Sequence, residues 1–257
     1  MNWRAAIWFF LSACLARANE NSDQLMATGV KEFVAAYQDW DGQRFGAAAG
    51  LFRQATTNTP ASCTNYYWLG AAEFHRMLQL RSVPAPPTNA LAAEAAMDAA
   101  LSALETAVKL DEQHAEIHAL LGTLYGMKIN GNWLRGARFG PRVARHQKKA
   151  MEFGAQNPRV RYLLGTGQFH TATKPSAQRE ALATLLSAEK LFAAEAQNAN
   201  GPLDPRWGRS SCLTFIGRTY EQLGQRAEAA DYFRKALAAH PSDHVAKEGL
   251  ARVEERK

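Results

Sequence analysis

Between Leu213 and Asp243, small and apolar residues recur at helical spacing in two blocks. Ile216-Gly217 and Tyr220 make the first; Ala229, Phe233 and Ala236 make the second. Steps of three and four residues put each block on one face of a helix. Gly224 stands between the blocks and starts a turn, and Pro241 follows the second, which it cannot continue. The pattern predicts two helices packed face to face. Gly217, Ala229 and Ala236 are small where the helices approach, and Tyr220 and Phe233 fill the space between them.

The same order of positions returns upstream. Ala48, Phe52, Ala55 and Pro60 repeat the second-helix half. Tyr66, Leu69 and Gly70 open a first helix whose partner, Ala100, Leu104 and Ala107, arrives about eighteen residues late, with the Pro-rich "RSVPAPPTNA" in the excess. Leu121, Gly122 and Tyr125 begin a third pair that resumes at Val143 and Ala150 after about nine extra residues. Gly140-Pro141 reads there as the start of the second helix, because Pro is favoured in a first turn. Leu164 and Gly165, then Ala181, Leu185 and Ala188, make a fourth.

The stretch from Leu213 to Asp243 resembles the tetratricopeptide repeat, a helix–turn–helix unit of about 34 residues. The resemblance implies an all-α solenoid of about five such repeats over residues 29–257, closed by a capping helix from Val245 to Lys257. One repeat cannot bury its apolar face alone, so stacking supplies the core. Glu73 and Gln168 depart from the family pattern, which has Tyr at those places. The chain is also similar to a loosely defined group of exported bacterial repeat proteins of undefined activity. They share the interrupted third repeat, here "LRGARFGPRVARHQKKA", followed by "NPRVRYLLG".

In the repeat family, certain first-helix positions line a concave binding groove. Carried over position by position, the resemblance implies a groove of Tyr67, Phe74, His75, Met127, Arg159, Tyr162, Phe169, His170 and Arg218. Phe74-His75 follow Gly70 at the same interval as Phe169-His170 follow Gly165. Aromatic and Arg side chains are common anchors of protein interfaces. The second reading is that Phe74 and Phe169 pack inside, in place of the absent Tyr.

Charge changes the picture at one place. The formal net charge is +6, but the stretch from Met127 to Arg161 holds nine basic residues and one acid, Glu152. Arg138, Arg142, Arg145, Lys148 and Lys149 crowd its centre. The helical pattern turns Val143, Gln147, Ala150 and Met151 toward the stack, and Arg142, Arg145, His146 and Lys149 away from it. Such a face is either simply solvated or a dock for phospholipid headgroups, acidic polysaccharide or an acidic protein. Trp133 and Phe139 add apolar contact in the second case.

The N-terminus follows a different grammar. Arg4 precedes an apolar run from Ala5 to Leu15, and Ala16-Arg17-Ala18 follows. This is the layout of a secretory signal over residues 1–18, with cleavage before Asn19 and a periplasmic or secreted mature chain. Leu11-Ser12-Ala13-Cys14 supports an alternative, a lipoprotein anchored at Cys14. After cleavage Cys63 and Cys212 remain. They are three repeat spacings apart, on the order of 30 Å, whereas a disulfide needs Cα atoms within about 7 Å. Both are expected to be free thiols.

Catalytic patterns are missing. There is no G-x-S-x-G elbow, P-loop or C-x-x-C. His114 and His118 are four apart but lack the H-E-x-x-H glutamate, and His240 and His244 merely flank Pro241, so no metal or cofactor is expected. The reading is a non-catalytic protein-binding scaffold or adaptor of the cell envelope, taking a protein or peptide in the groove, with nucleic acid not expected as a partner. The alternative is an enzyme or accessory subunit for envelope polymers that uses the inserts as its site.

Overall fold

The structure is a computed structural model that describes residues 3–82, 87–198 and 201–255, with side chains described at 19–82, 89–198 and 201–255. Among these residues there are eleven helices and no strands. They are α1 (Trp3–Asp39), α2 (Gly42–Asn58), α3 (Cys63–Ser82), α4 (Pro87–Leu110), α5 (Ala115–Ile129), α6 (Trp133–Gly154), α7 (Pro158–Thr171), α8 (Pro175–Glu195), α9 (Arg209–Gln222), α10 (Arg226–Ala239) and α11 (His244–Glu255). They form an all-α fold of five helical hairpins and a last helix, α11, in the place expected for the cap. Two compact units divide at Glu112–Gln113, with residues 38–40 grouped with the second. The side chains of the signal-like residues 1–18, Cys14 included, lie outside the described residues. So do part of the Pro-rich segment and the terminal Arg256 and Lys257.

Local chemistry sets the helix ends. Asp41 caps α2 by accepting from the backbone N–H of Gln43 and Arg44. Asn157 caps α7 in the same way through Arg159 and Val160, satisfying donors that have no partner inside the helix. Pro158 and Pro175 stand in the first turns of α7 and α8, where the missing N–H costs nothing. Gly224 takes a φ of 75° between α9 and α10, a region that side chains with a Cβ rarely enter.

The second-helix signature is the core. Ala48, Phe52 and Ala55 of α2, Ala100, Leu104 and Ala107 of α4, Ala181, Leu185 and Ala188 of α8, and Ala229, Phe233 and Ala236 of α10 are all fully buried at 0% exposure. Each set faces the glycine-bearing helix of its hairpin. A Cβ on Gly217 would stand 2.8 Å from Phe233 Cδ1, and one on Gly70 would stand 2.5 Å from Leu104 Cγ. Only glycine permits those approaches.

The third hairpin departs from expectation. Its extra residues do not loop out; they extend α6 forward to Trp133. Asn132 caps that start through the N–H of Arg135 at 3.1 Å, so Gly140-Pro141 is not a helix start and Pro141 lies inside the helix. Pro141 and Ala137, whose carbonyl loses its usual N–H partner, are both exposed, so water can take that acceptor. The excess of the second hairpin is likewise drawn partly into long helices, 20 residues in α3 and 24 in α4.

In the first unit, α1 packs on α2 and α3 through an aromatic cluster. Phe33 meets Phe45, Trp68 and His75 at centroid distances of 5.5, 5.2 and 5.2 Å. Asn65 Nδ2 donates to Thr59 Oγ1, Ala55 O and Ser22 Oγ, which ties α1 to the α2–α3 turn. Glu73, where the family pattern has Tyr, is buried and paired with Arg53 at 2.7 Å and Arg76 at 3.3 Å. The second unit packs α5 to α11 as consecutive hairpins. Phe233 sits in its terminal core with Leu213, Ala246 and Val253.

Candidate functional site

Two surfaces of the second unit carry the chemistry singled out in the sequence. The first is on α7 and α9. Phe169 and Phe215 meet edge to face at 5.3 Å. The Arg218 guanidinium lies over both rings, 4.8 Å from Phe169 and 5.1 Å from Phe215. His170 is exposed and packs on Phe215 at 5.6 Å. Tyr162 reaches the same ring at 6.3 Å.

No carboxylate among the described residues forms an ion pair with Arg218. The nearby carboxylates are engaged elsewhere: Glu221 takes both Arg252 nitrogens at 2.9 and 3.1 Å, and Asp243 accepts from the Thr214 hydroxyl and the Ala246 N–H. Burial, and then the Arg252 charge, lower the Arg218 pKa from its usual value. Burial, and then Arg218, lower that of His170. The result is a half-buried cation on an aromatic bed beside the His170 imidazole.

The second surface is the outer face of α6. Arg138, Arg142, Arg145 and Lys148 are exposed, and Lys149 is half-buried. Arg142 stacks over Tyr125 at 5.3 Å and Arg138 over Phe139 at 5.2 Å, and the two rings stack on each other at 5.9 Å. Trp133 and Leu134 are exposed by 77% and 59%.

Several expected site residues are elsewhere. Tyr67, Phe74 and His75 are buried in the first unit, where His75 sits among Phe33, Tyr37 and Phe45 and its Nδ1–H donates to the Ala71 carbonyl. Burial pushes its pKa down to about 4. These three are packing residues, not groove residues. Phe74 occupies the interior in place of the Tyr that Glu73 displaces. Arg159 is also buried. Its Nε donates to Glu116 at 2.8 Å, its terminal nitrogens grip Glu195, and Phe192 and Trp207 flank it. With every direction occupied, it is a structural clamp. Met127 is half-buried on α5. Phe169 and Tyr162 are largely buried too, at 5% and 8%, and contribute a floor under Arg218 and His170.

His146 is the other correction. It does not point outward with Arg145 but is buried, with Nδ1 2.8 Å from His118 Nδ1. Burial, then His118, then Arg145, Lys149 and Arg142 push its pKa down to about 4. Cys63 and Cys212 are both free thiols. Their Sγ atoms donate to the carbonyls of Ala107 and Leu185, and burial raises both pKa values, Cys63 to about 11.

Phe215 and Leu134 were not expected at these sites, whereas Trp133 was expected beside the basic face. Phe215 lies three residues before Arg218, so helical periodicity alone puts the two on one face. Leu134 lies four before Arg138 and shares its face once α6 is known to begin at Trp133.

A family model described as RMD1-3, "Regulator of microtubule dynamics protein 1-3", matches residues 42–255. Two solved structures share the fold. A thermophilic TPR protein of Thermus thermophilus has a TM-score of 0.63 and 17% identity, covering 91% of this chain and 99% of that chain. The HusA haemophore of Porphyromonas gingivalis has a TM-score of 0.61 and 17% identity, covering 78% and 93%. No curated protein is recognisably similar in sequence.

Proposed function

The chain belongs to the regulator of microtubule dynamics 1-3 family, and from that premise we propose that it is a non-catalytic scaffold with two docking faces. The α7–α9 face takes a protein or peptide partner, and the α6 face takes an anionic surface. The observation that carries the first part is the Arg218 guanidinium, held over Phe169 and Phe215 with no carboxylate among the described residues in an ion pair with it. A rigid cation on an aromatic bed supplies contact area and charge at little cost in side-chain entropy. The insert of the third hairpin, on which an enzyme reading rests, is a helix extension, so we assign no reaction to it.

The test is affinity capture and mass spectrometry with the protein and with a Phe215→Ala/Arg218→Glu variant, each checked for helicity by circular dichroism. The partner should be recovered with the unaltered protein and lost with the folded variant. The same partner on both proteins would remove the α7–α9 face from the reading.

For placement we propose export. Arg4, Ala5–Leu15 and Ala16-Arg17-Ala18 support it. Cleavage before Asn19 leaves in place Ser22, Met26, Val30, Phe33 and Ala36, buried residues of α1. The family's description supports a second placement, beside a cytoskeletal polymer inside a cell. A mature protein starting at Asn19 fits the first, an acylated Cys14 makes it a lipoprotein, and an intact N-terminus fits the second.

A further inference from the structure

Three of the five large apolar side chains exposed among the described residues belong to α6: Trp133, Leu134 and Phe153. The first two open the helix, and the cations follow. Steps of four and three place Leu134, Arg138, Pro141, Arg145 and Lys148 on one stripe, with Arg142 and Lys149 along its edge. Arg138 and Arg142 are steadied on Phe139 and Tyr125 rather than neutralised by acids. The only acid from Met127 to Arg161 is Glu152, near the far end of α6.

We propose that this face docks on an anionic phospholipid bilayer, with Leu134 and, beside the stripe, Trp133 entering the headgroup boundary and Arg138, Arg145 and Lys148 pairing with lipid phosphates. The inference rests on the α6 reading above and names its partner. A soluble polyanion satisfies the cations but leaves Trp133 and Leu134 in water. A bilayer surface takes both, since an indole and an aliphatic chain beside basic residues match the boundary between headgroup and acyl chain. The contact is peripheral: no helix among the described residues is long and apolar enough to cross a membrane.

The experiment compares three proteins: the unaltered chain, Trp133→Ala/Leu134→Ala and Arg142→Glu/Arg145→Glu. Each is co-sedimented with phosphatidylcholine vesicles made with and without phosphatidylserine, and each is titrated with soluble polyglutamate. All four side chains are exposed, so circular dichroism should show equal helicity. The unaltered chain should prefer phosphatidylserine vesicles. Both variants should lose that binding by about tenfold or more, while only the charge variant loses polyglutamate. Vesicle binding unchanged by Trp133→Ala/Leu134→Ala overturns bilayer entry and leaves a purely electrostatic dock. Binding to vesicles and polyglutamate unchanged by Arg142→Glu/Arg145→Glu overturns the anionic reading of α6 itself.

Discussion

The Nδ1 atoms of His118 and His146 lie 2.8 Å apart between α5 and α6. One ring must donate and the other accept, so the contact needs one of the two nitrogens bare. Above it lie Arg142, Arg145 and Lys149, whose charges also oppose a second proton. The basic face of α6 therefore rests on a pair of histidines kept short of full protonation.

Stability should fall as the medium is acidified from about pH 6.5 to 4. An unfolded histidine takes its proton near 6.5, whereas burial holds His146 and His75 near 4 in the fold. Between those values the unfolded chain binds more protons, so unfolding gains on the folded state as pH drops. The slope reaches about 1.4 kcal/mol per pH unit for each ring. Urea midpoints at pH 7 and pH 5 measure it, and His146→Phe should flatten the curve.

Gly217→Leu should destabilise the last hairpin by roughly 1–3 kcal/mol or more. Phe233 is pressed from α9 at Gly217 and from α11 at Gly249, so its ring has nowhere to retreat. An unchanged melting temperature would mean that α9 and α10 do not meet at this point.

Arg159→Ala should cost about 3–5 kcal/mol, because it takes the guanidinium away from the buried Glu116 carboxylate as well as from Glu195. Arg159→Lys should recover little of it. A single ammonium cannot reach Glu116 while gripping both Glu195 oxygens. Denaturant titration of the two variants checks the order.

Binding through α6 should weaken steeply with salt. Screening shortens from about 10 Å at 0.1 M to about 3 Å at 1 M, and these side chains are exposed. Reversing Arg142, Arg145 and Lys148 together should abolish the interaction while changing stability by only about 0.5 kcal/mol for each site. Vesicle co-sedimentation across a salt series gives both numbers.

N-terminal sequencing of the native protein should return Asn19 as the first residue. An uncleaved Met1 would reject export, and an acylated Cys14 would replace cleavage before Asn19 with a lipid anchor.

The hairpins were legible because their determinants are local. Ala229, Phe233 and Ala236 fall on one face by covalent periodicity alone, and Gly217 announces a close approach before any partner is known. The same holds for the charge of α6, which composition reveals directly. Which way a side chain faces at the edge of its stripe is not local. His146 turned inward because His118, twenty-eight residues away, offered its ring nitrogen. Arg159 left the expected groove because Glu116 and Glu195 closed around it, since a buried guanidinium is tolerable only when its donors are met. Helix α6 ran through Gly140-Pro141 because the Asn132 cap satisfied its first turn and the Pro141 gap faced water. Sequence alone determined the paired-helix pattern and the sign of the exposed charge, though not where α6 begins. Tertiary structure decided which polar side chains are spent inside and which remain for a partner, because hydrogen-bond and charge partners are supplied by packing from distant parts of the chain.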